Sequence, residues 1–349
     1  MKFGYFTLSD NHYLDNPRSA NQCILDLVDE AIYAESLGYN SAWVGEHHFN
    51  SLGVLSCPDL VLTYVAARTQ RVRLAPAVNV LPLHHPIRVA EQWATLDLLS
   101  GGRVDFATGR GYDRAEYLPL NAPFDDNVTA FSEAVDALYR LWSESAPVSH
   151  HGKYYNFDAV SITPKPIQRP IPIHLASFSR PTIDLAARYG FGLVLATFAA
   201  NITLGGVGSA ARYYREACER NNQKPGRMVS SYFIHFADTP EQERAARERQ
   251  LRYARECTAA VSPGDDKTRP QSYAYFQEFK TQMRNRGTAD LDSRTMLLGN
   301  SERITETLAE MEALGFDEII LYFGVGLKPH TQVREEMARF AEEVAPSFV

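Results

Sequence analysis

The sequence predicts an α/β protein, a closed (β/α)₈ barrel with insertions, and three observations support this fold class. Eight short β-type runs recur along the 349 residues. Segments with apolar residues at helical spacing separate them. The strict alternation indicates parallel strands joined by crossover helices, and eight such units favour a closed barrel over an open doubly wound sheet. We therefore expect one domain over residues 1–349.

The predicted strands are rich in β-branched and aromatic residues, and helical patterns follow them. They span 2–8, 41–45, 72–80, 104–108, 171–176, 193–197, 228–236 and 318–323. After the first strand, Leu27, Val28 and Ile32 recur at helical spacing before Gly38, a residue that commonly ends helices. The polar segment 262–296 breaks the alternation, and it predicts a lid or insertion that closes on a ligand.

An open sheet with a dinucleotide-binding crevice is the alternative architecture. Gly206, Gly208 and Ala211 provide one candidate glycine fingerprint for it. The fingerprint requires a tight turn directly after a strand, whereas the preceding predicted strand ends near Thr197. We interpret the glycines as a flexible loop that enters a helix, with Ser209 as its N-cap.

Composition and charge exclude several classes of protein. The chain is 45% hydrophobic and 22% charged, which is typical of a globular protein able to bury a large core. Its net charge of −7 argues against nucleic-acid binding. Residues 1–10 lack a signal-peptide pattern and no apolar run is long enough to span a membrane, which predicts a cytoplasmic protein. The cysteines, which lack disulfide or zinc spacing, are Cys23, Cys57, Cys218 and Cys257.

Histidines follow the ends of predicted strands, where barrel enzymes carry their active sites. His47 and His48 follow the second strand, and His84 and His85 follow the third. Because neighbouring residues on an extended strand point to opposite faces, Glu46, His47 and His48 do not easily reach one ion, and we predict no metal site. Such histidines can instead transfer protons near neutral pH, or serve as satisfied polar residues of the core.

Three runs carry the most specific pattern of the chain. They are Trp43-Val-Gly-Glu-His-His-Phe49, Leu81-Pro-Leu-His-His-Pro-Ile-Arg88 and Ser100-Gly-Gly-Arg-Val-Asp-Phe-Ala-Thr-Gly-Arg-Gly111. In order and spacing they resemble the bacterial luciferase-like flavin-dependent monooxygenase family, and the resemblance continues to the last predicted strand. It implies a TIM barrel that binds FMN without a covalent bond at the carboxyl ends of its strands, often as a homodimer.

The resemblance also implies a two-component reaction. A separate NAD(P)H:flavin reductase would supply reduced FMN, and this chain would add O₂ to form a flavin C4a-hydroperoxide that oxygenates a small, largely apolar organic substrate. His47 matches the catalytic histidine of the family; a closed pocket with one imidazole would exclude water and control the proton. Hydroxylation, Baeyer-Villiger oxidation and aldehyde oxidation all stay open.

Two parts of the chain match the family's contacts with the flavin ring. Ala77 and Val78 match the position of a non-proline cis bond beneath the ring. Asn79 ends the same strand, and its amide either meets the polar edge of the flavin or faces the barrel core. Gly109 stands where light-emitting luciferases carry a reactive cysteine, so we do not predict luminescence. A glycine beside the flavin would leave room for a substrate larger than a simple fatty aldehyde.

Two further elements match the family's phosphate contacts. Arg110 and Gly111 follow the fourth predicted strand, where a guanidinium pairs with phosphate and a glycine lets the backbone approach. Ser177, Ser179 and Thr182 open a helix after the fifth predicted strand, and the N-terminus of a helix attracts anions. Together these residues predict the binding site of the FMN phosphate.

The residues near the barrel mouth predict an apolar substrate pocket. The residues assigned to it are His48, Phe49, Tyr112 and Phe178, with Tyr232 and Phe233 in the seventh predicted strand. Two other functions stay open, an F420-dependent dehydrogenase on the same barrel and a non-catalytic flavin-binding relative. The Glu-His-His-Phe run argues against the first, and the presence of His47 and Arg110 argues against the second.

Overall fold

The computed structural model describes residues 1–49, 52–258, 261–265, 267–274, 276, 281, 291 and 296–348. Its strands are β1 (Lys2–Thr7), β2 (Ser41–Val44), β3 (Arg73–Pro76), β4 (Asn79–Val80), β5 (Phe106–Gly109), β6 (Val148–His151), β7 (Asn156–Val160), β8 (Ile173–Ala176), β9 (Gly192–Ala196), β10 (Met228–Phe236), β11 (Met296–Gly299) and β12 (Glu318–Tyr322). Its helices are α1 (Ala20–Ser36), α2 (Pro58–Ala66), α3 (Pro86–Ser100), α4 (Arg114–Tyr117), α5 (Asn127–Ser143), α6 (Arg180–Tyr189), α7 (Thr197–Thr203), α8 (Val207–Arg220), α9 (Pro240–Glu256), α10 (Ser301–Ala313) and α11 (His330–Glu343).

The main sheet is parallel and nearly closes on itself. Its strand order is β3-β2-β1-β12-β10-β9-β8-β5-β4. The strands β3 and β4 are two parts of one predicted run, separated by a cis peptide bond between Ala77 and Val78. A parallel bridge between Leu74 and Val104 joins β3 to the chain just before β5. With helices covering the outside, this arrangement confirms the predicted TIM-type barrel.

Two strand pairs were not predicted, and both are short. The strand β11 pairs in parallel with the last four residues of β10, from Phe233 to Phe236. At nine residues, β10 is long enough to pair with β9 and β12 at its start and with β11 at its end. The hairpin of β6 and β7 is antiparallel and largely solvated. Neither pair shows the long apolar run or the strict alternation from which strands are predicted.

The amino-terminal end of the barrel is filled by a buried layer of charge. The carboxylate of Asp105 accepts hydrogen bonds from Arg73 Nε at 2.7 Å and from Arg227 Nη1 at 3.0 Å. Arg227 also pairs with the buried Glu318. His174 Nε2 lies 3.8 Å from Asp105 Oδ1, which places this histidine in the same layer. This layer fills the amino-terminal end, and a ligand site is therefore expected at the carboxyl ends of the strands.

The close packing of this layer against Gly192 can be tested by substitution. A Cβ added at Gly192 would lie 2.0 Å from His174 Nδ1 and 2.8 Å from the carbonyl oxygen of Arg227. We expect Gly192→Ala to lower the free energy of unfolding by roughly 1–3 kcal/mol, the usual effect of overpacking a core. Urea denaturation measures it. The matched control is Gly324→Ala, whose Cβ would meet its nearest atom at 3.6 Å; equal losses in the two variants would contradict the prediction.

The glycines of the candidate dinucleotide fingerprint do not follow a strand directly. The strand β9 ends at Ala196, and the helix α7 intervenes before α8 begins at Val207. Gly206, with a φ of +101°, is the N-cap of α8, so the prediction that Ser209 is the N-cap is wrong. The separation confirms that this segment is not a dinucleotide-binding turn.

Other predictions on the chain have mixed outcomes. The four cysteines are free thiols; Cys23, Cys218 and Cys257 are buried, and Cys57 is exposed. Over the described ranges, no helix combines the length and apolar character needed to cross a membrane. In the predicted lid 262–296, residues 266, 275, 277–280, 282–290 and 292–295 lie outside the described residues. Closure of this segment on a ligand stays a prediction.

Candidate active site

A large, mostly apolar cavity opens at the carboxyl ends of the barrel strands. Its empty volume, including the open mouth, is about 1420 Å³. Aliphatic and aromatic side chains form most of its wall, and β1, β9, β10 and the loop after β5 all contribute to it. The polar groups on the wall include Glu46, His47, Arg110, Glu116 and Thr182. A few polar groups in an apolar concavity are the usual composition of a small-molecule site.

His47 lies on the cavity wall and is oriented by a buried carboxylate. Its Nδ1 lies 3.2 Å from Oε1 of Glu116, whose side chain is 3% exposed. The same oxygen accepts a hydrogen bond from the backbone N–H of His48 at 3.0 Å. With Nδ1–H donating to the carboxylate, Nε2 is the ring atom that can accept a proton. This pair therefore has the geometry of an oriented acid-base imidazole.

Local backbone contacts fix both members of this pair. The N–H of His47 donates to the carbonyl of Leu55 at 2.8 Å, which holds the loop after β2. Asp113 is the N-cap of α4, and its carboxylate accepts from the N–H of Ala115 at 3.1 Å. This capped turn brings Glu116 to the mouth, as expected for an aspartate at the start of a helix.

Glu46 is the centre of a second buried cluster beside His47. Its Oε1 lies 3.0 Å from Nε2 of His48 and 2.5 Å from Nε2 of His84. Its Oε2 accepts from Asn79 Nδ2 at 2.7 Å and from the N–H of Val80 at 3.2 Å. Four partners thus hold one carboxylate whose side chain is fully buried.

The two histidines keep this carboxylate ionised. Burial by itself would raise the pKa of Glu46, but the hydrogen bonds from His48 and His84 outweigh burial and lower that pKa to about 2. Burial likewise acts to lower the pKa of His84, and its hydrogen bond to Glu46 reverses the direction, so the pKa of His84 is raised. The hydrogen bonds from the two histidines therefore stabilise the ionised form of this buried carboxylate.

Arg110 brings a positive charge to the apolar cavity. Its Nη1 donates to Asn127 Oδ1 at 3.3 Å, and its guanidinium lies 5.2 Å from the ring centre of Tyr273. Over the described ranges, no carboxylate forms an ion pair with it. Gly111 follows with a φ of +65°, and a Cβ there would lie 2.8 Å from Val80 Cγ1. The guanidinium is thus available to an anionic ligand.

The predicted phosphate element forms the start of α6. Ser177 folds the turn, since its hydroxyl donates to the carbonyl of Ser179 at 2.7 Å and accepts from the N–H of Ser179 at 3.1 Å. Ser179 is the N-cap of α6, and its Oγ lies 3.3 Å from Oγ1 of Thr182. Thr182 lines the large cavity, while Ser179 lines an adjoining depression together with Arg180 and Ser209.

The structure brings most of the predicted site residues to the cavity wall. Those that line it are His47, Ala77, Val78, Gly109, Arg110, Gly111, Tyr112, Phe178, Thr182, Tyr232 and Phe233. The cis peptide bond lies between Ala77 and Val78, at the position that the resemblance implied. A Cβ at Gly109 would lie 3.1 Å from Val78 Cγ2, so a larger residue there would crowd this part of the wall.

Other residues that were predicted for the site do not line the cavity, so the predicted set of site residues is corrected. Phe49 is 68% exposed; its φ of +57° shows that the chain has left the extended conformation of β2. His48 binds Glu46, and Asn79 Nδ2 also donates to Glu46. The Ser177 hydroxyl is used within its own turn.

Sequence reasoning missed Glu116, Tyr273 and Phe276, and it placed His84 near the mouth without its partner. Glu116 lies in α4 and His84 follows β4, whereas the residues they contact follow β2, and nothing in the local sequence indicates either pairing. Tyr273 and Phe276, from the predicted lid, also line the cavity. The ring of Phe276 lies 5.4 Å from that of Tyr112, and Tyr273 stacks on Phe124 at 5.6 Å. The sequence signal that could have identified Tyr273 and Phe276 is the presence of aromatic residues in an otherwise polar segment.

Comparison with known proteins identifies relatives of this chain. A family model described as luciferase-like monooxygenase matches residues 1–318. The chain is 30% identical to limonene 1,2-monooxygenase of Rhodococcus erythropolis over 271 residues, 76% of this chain and 68% of that protein. It is 24% identical to the oxygenase component of flavin-dependent trigonelline monooxygenase of Acinetobacter baylyi, over 100% of this chain and 96% of that protein. Two further curated relatives are matched over 54% and 59% of their own length.

A solved structure agrees with these matches. The crystal structure of monooxygenase RslO1 from Streptomyces bottropensis superposes with a TM-score of 0.83, at 26% identity and over 100% of both chains. The family model begins one residue before β1 and ends at Glu318, the first residue of β12, so it includes every residue that lines the cavity except Ile320. This chain belongs to the luciferase-like monooxygenase family.

Proposed function

We propose that this chain is the oxygenase of a two-component monooxygenase that uses reduced FMN and O₂ to oxygenate a small, largely apolar organic molecule. A separate NAD(P)H:flavin reductase would supply the reduced FMN. The observation that carries the proposal is His47, held by Glu116 at 3.2 Å on the wall of an apolar cavity that also contains Arg110.

The residues present fit FMN. Ala77, Val78 and Gly109 offer a flat apolar surface to a ring system, because none of them carries a long side chain. Arg110 offers a guanidinium, and Thr182 offers a hydroxyl in the first turn of α6. These are the donors that phosphate prefers, and the backbone N–H groups of a helix start add to them. When bound, reduced FMN supplies the electrons that activate O₂.

The chain's own residues would manage protons and water. His47 would give or accept a proton at Nε2, while Glu116 keeps Nδ1 protonated and the ring in place. Aromatic residues such as Phe6, Phe178 and Phe233 would exclude water from the reacting groups and bind the apolar part of the substrate.

The names of two relatives support parts of this proposal. Limonene 1,2-monooxygenase is named for an apolar substrate, in line with the apolar wall of the cavity. The trigonelline enzyme is named as an oxygenase component, in line with a separate reductase. Neither name fixes the substrate of this chain, and a homodimer stays a prediction.

The proposal is tested by mixing purified protein and chemically reduced FMN with oxygen-18 gas and a panel of apolar ketones, aldehydes and aromatics. We expect one labelled oxygen atom in the product of at least one substrate, read by mass spectrometry. Reoxidation of FMN at the rate of free flavin, without labelled product, would contradict the proposal and favour a non-catalytic flavin-binding protein. Tighter binding of F420 than of FMN in a titration would favour the dehydrogenase.

Arg110→Ala separates phosphate binding from ring binding. We expect the Kd for FMN to rise by roughly 10- to 150-fold, because charge-assisted hydrogen bonds contribute about 1.5–3 kcal/mol. Riboflavin lacks the phosphate, and its Kd should stay unchanged. Fluorescence titration measures both. The control Arg88→Ala removes an arginine that pairs with Glu91 on the surface, and should leave both affinities intact. An equal loss for FMN and riboflavin in Arg110→Ala would contradict the assignment.

A further inference from the structure

The cluster around Glu46 brings together the atoms of a metal site. The ligand atoms of Glu46, His48 and His84 all lie within 4.8 Å of one another. Glu46 and His48 are two residues apart in the segment that follows β2. His84 joins them from the loop after β4. The prediction from sequence weighed the consecutive residues Glu46, His47 and His48 as ligands of one ion. It therefore missed the combination of Glu46 and His48 with His84.

We propose that Glu46 Oε1, His48 Nε2 and His84 Nε2 form a binding site for one divalent transition-metal ion of the zinc class. Two imidazole nitrogens and one carboxylate oxygen are a ligand set that zinc uses with water in the fourth position. The oxygen now lies 3.0 Å and 2.5 Å from the two nitrogens, with a hydrogen between each pair. Around a tetrahedral ion with ligands at about 2.0–2.1 Å, such atoms lie roughly 3.3 Å apart. Small side-chain rotations would therefore admit the ion in place of the shared hydrogens.

The surroundings of the cluster support this assignment. Glu46 Oε2 is held by Asn79 Nδ2 at 2.7 Å and by the N–H of Val80 at 3.2 Å, which orients Oε1 toward the histidines. Outer hydrogen bonds of this kind are typical of carboxylates that bind metals. The side chain of His84 is 31% exposed and that of His48 is 12% exposed, so an ion has a route from solvent.

A bound ion would link two loops that border the active site. His48 follows His47 directly, and Glu46 precedes it, so the ion would restrain the loop that carries the imidazole on the cavity wall. His84 lies at the end of the 3-10 helix Leu81–Leu83, which follows β4. The ion would act on the neighbouring His47 as a positioning element.

Metal binding is tested without flavin, so its outcome is independent of the monooxygenase proposal. Chelator-treated protein is titrated with Zn²⁺ by calorimetry and with Co²⁺ by visible absorption. We expect one equivalent of each ion to bind and to compete for the same site. The variants His48→Ala and His84→Ala should each weaken Zn²⁺ binding by about 100-fold or more, since even outer-sphere changes cost 10- to 100-fold.

The matched control is His151→Ala, which removes an exposed histidine that pairs with Asp158 on the hairpin of β6 and β7. It should bind Zn²⁺ as the wild type does. Absence of saturable binding, or equal affinity in His84→Ala and wild type, would overturn the proposal. If circular dichroism shows that neither variant folds, X-ray absorption spectroscopy of zinc-loaded wild type provides the test. We expect two imidazole ligands on the zinc ion, and a coordination shell without imidazole would overturn the proposal.

Discussion

His47→Ala is expected to lower the rate of substrate oxygenation by about 100- to 10,000-fold while FMN still binds. The ring of His47 is the imidazole of the cavity wall that a buried carboxylate orients, with Glu116 Oε1 3.2 Å from its Nδ1. Removing it takes away the proton transfer at Nε2 and leaves Arg110 and the apolar wall in place. Single-turnover assays with pre-reduced FMN measure the rate, and fluorescence titration measures FMN affinity.

Two further variants define what His47 does. Glu116→Gln keeps a hydrogen-bond acceptor near Nδ1 but removes its charge, so we expect a smaller loss of rate than in His47→Ala. His12→Ala removes a histidine whose side chain is exposed, and its rate should match that of the wild type. A His47→Ala enzyme as active as His12→Ala would show that this imidazole has no catalytic role.

Glu46→Ala is expected to lower the free energy of unfolding by about 3–5 kcal/mol, the usual cost of breaking a buried ion pair from one side. The substitution leaves His48, His84, Asn79 and the N–H of Val80 without the oxygen atoms they contact. Denaturant unfolding in the presence of a chelator measures this loss without any contribution from bound metal. The control Glu91→Ala removes a surface ion pair with Arg88 and should cost less than about 1 kcal/mol.

The loss in Glu46→Ala should depend on pH in a defined way. The folded pKa of Glu46, about 2, lies below its ordinary value of 4.5, so its contribution is full above pH 4.5 and disappears as the pH falls toward 2. The folded pKa of His84 is raised above 6.5, so its contribution is full below pH 6.5 and disappears as the pH rises through the raised value. The stability difference from wild type should therefore be largest between pH 4.5 and 6.5. A difference that does not vary with pH would contradict this account.

Predictions from the sequence succeeded where the signal is local. Alternating β-type runs and helical patterns predicted the barrel, because burial of one face imposes its period on the residues of each element. The same logic located the mouth, since residues that directly follow parallel strands meet at one end of the barrel. His47 and Arg110 do lie on the wall of the cavity there.

Predictions failed where side-chain direction depends on the path of a loop. Phe49 was expected in the substrate pocket, but its φ of +57° turns it outward to 68% exposure. His48 was expected there too, and the buried carboxylate of Glu46 holds it instead. The predicted N-cap of α8 was also wrong. It is Gly206 and not Ser209, because the chain forms the helix α7 before it reaches Gly206 and Gly208.

The sequence by itself determined the barrel, the end at which the cavity opens and the residue types that reach that end. Only the tertiary structure decided the partners, since 69 positions separate His47 from Glu116 and 38 separate Glu46 from His84. Periodicity reports which face of an element is buried, and this is a property of neighbouring residues. Which two side chains meet depends instead on how separate loops pack at the mouth, and that packing is fixed only when the strands close into a ring.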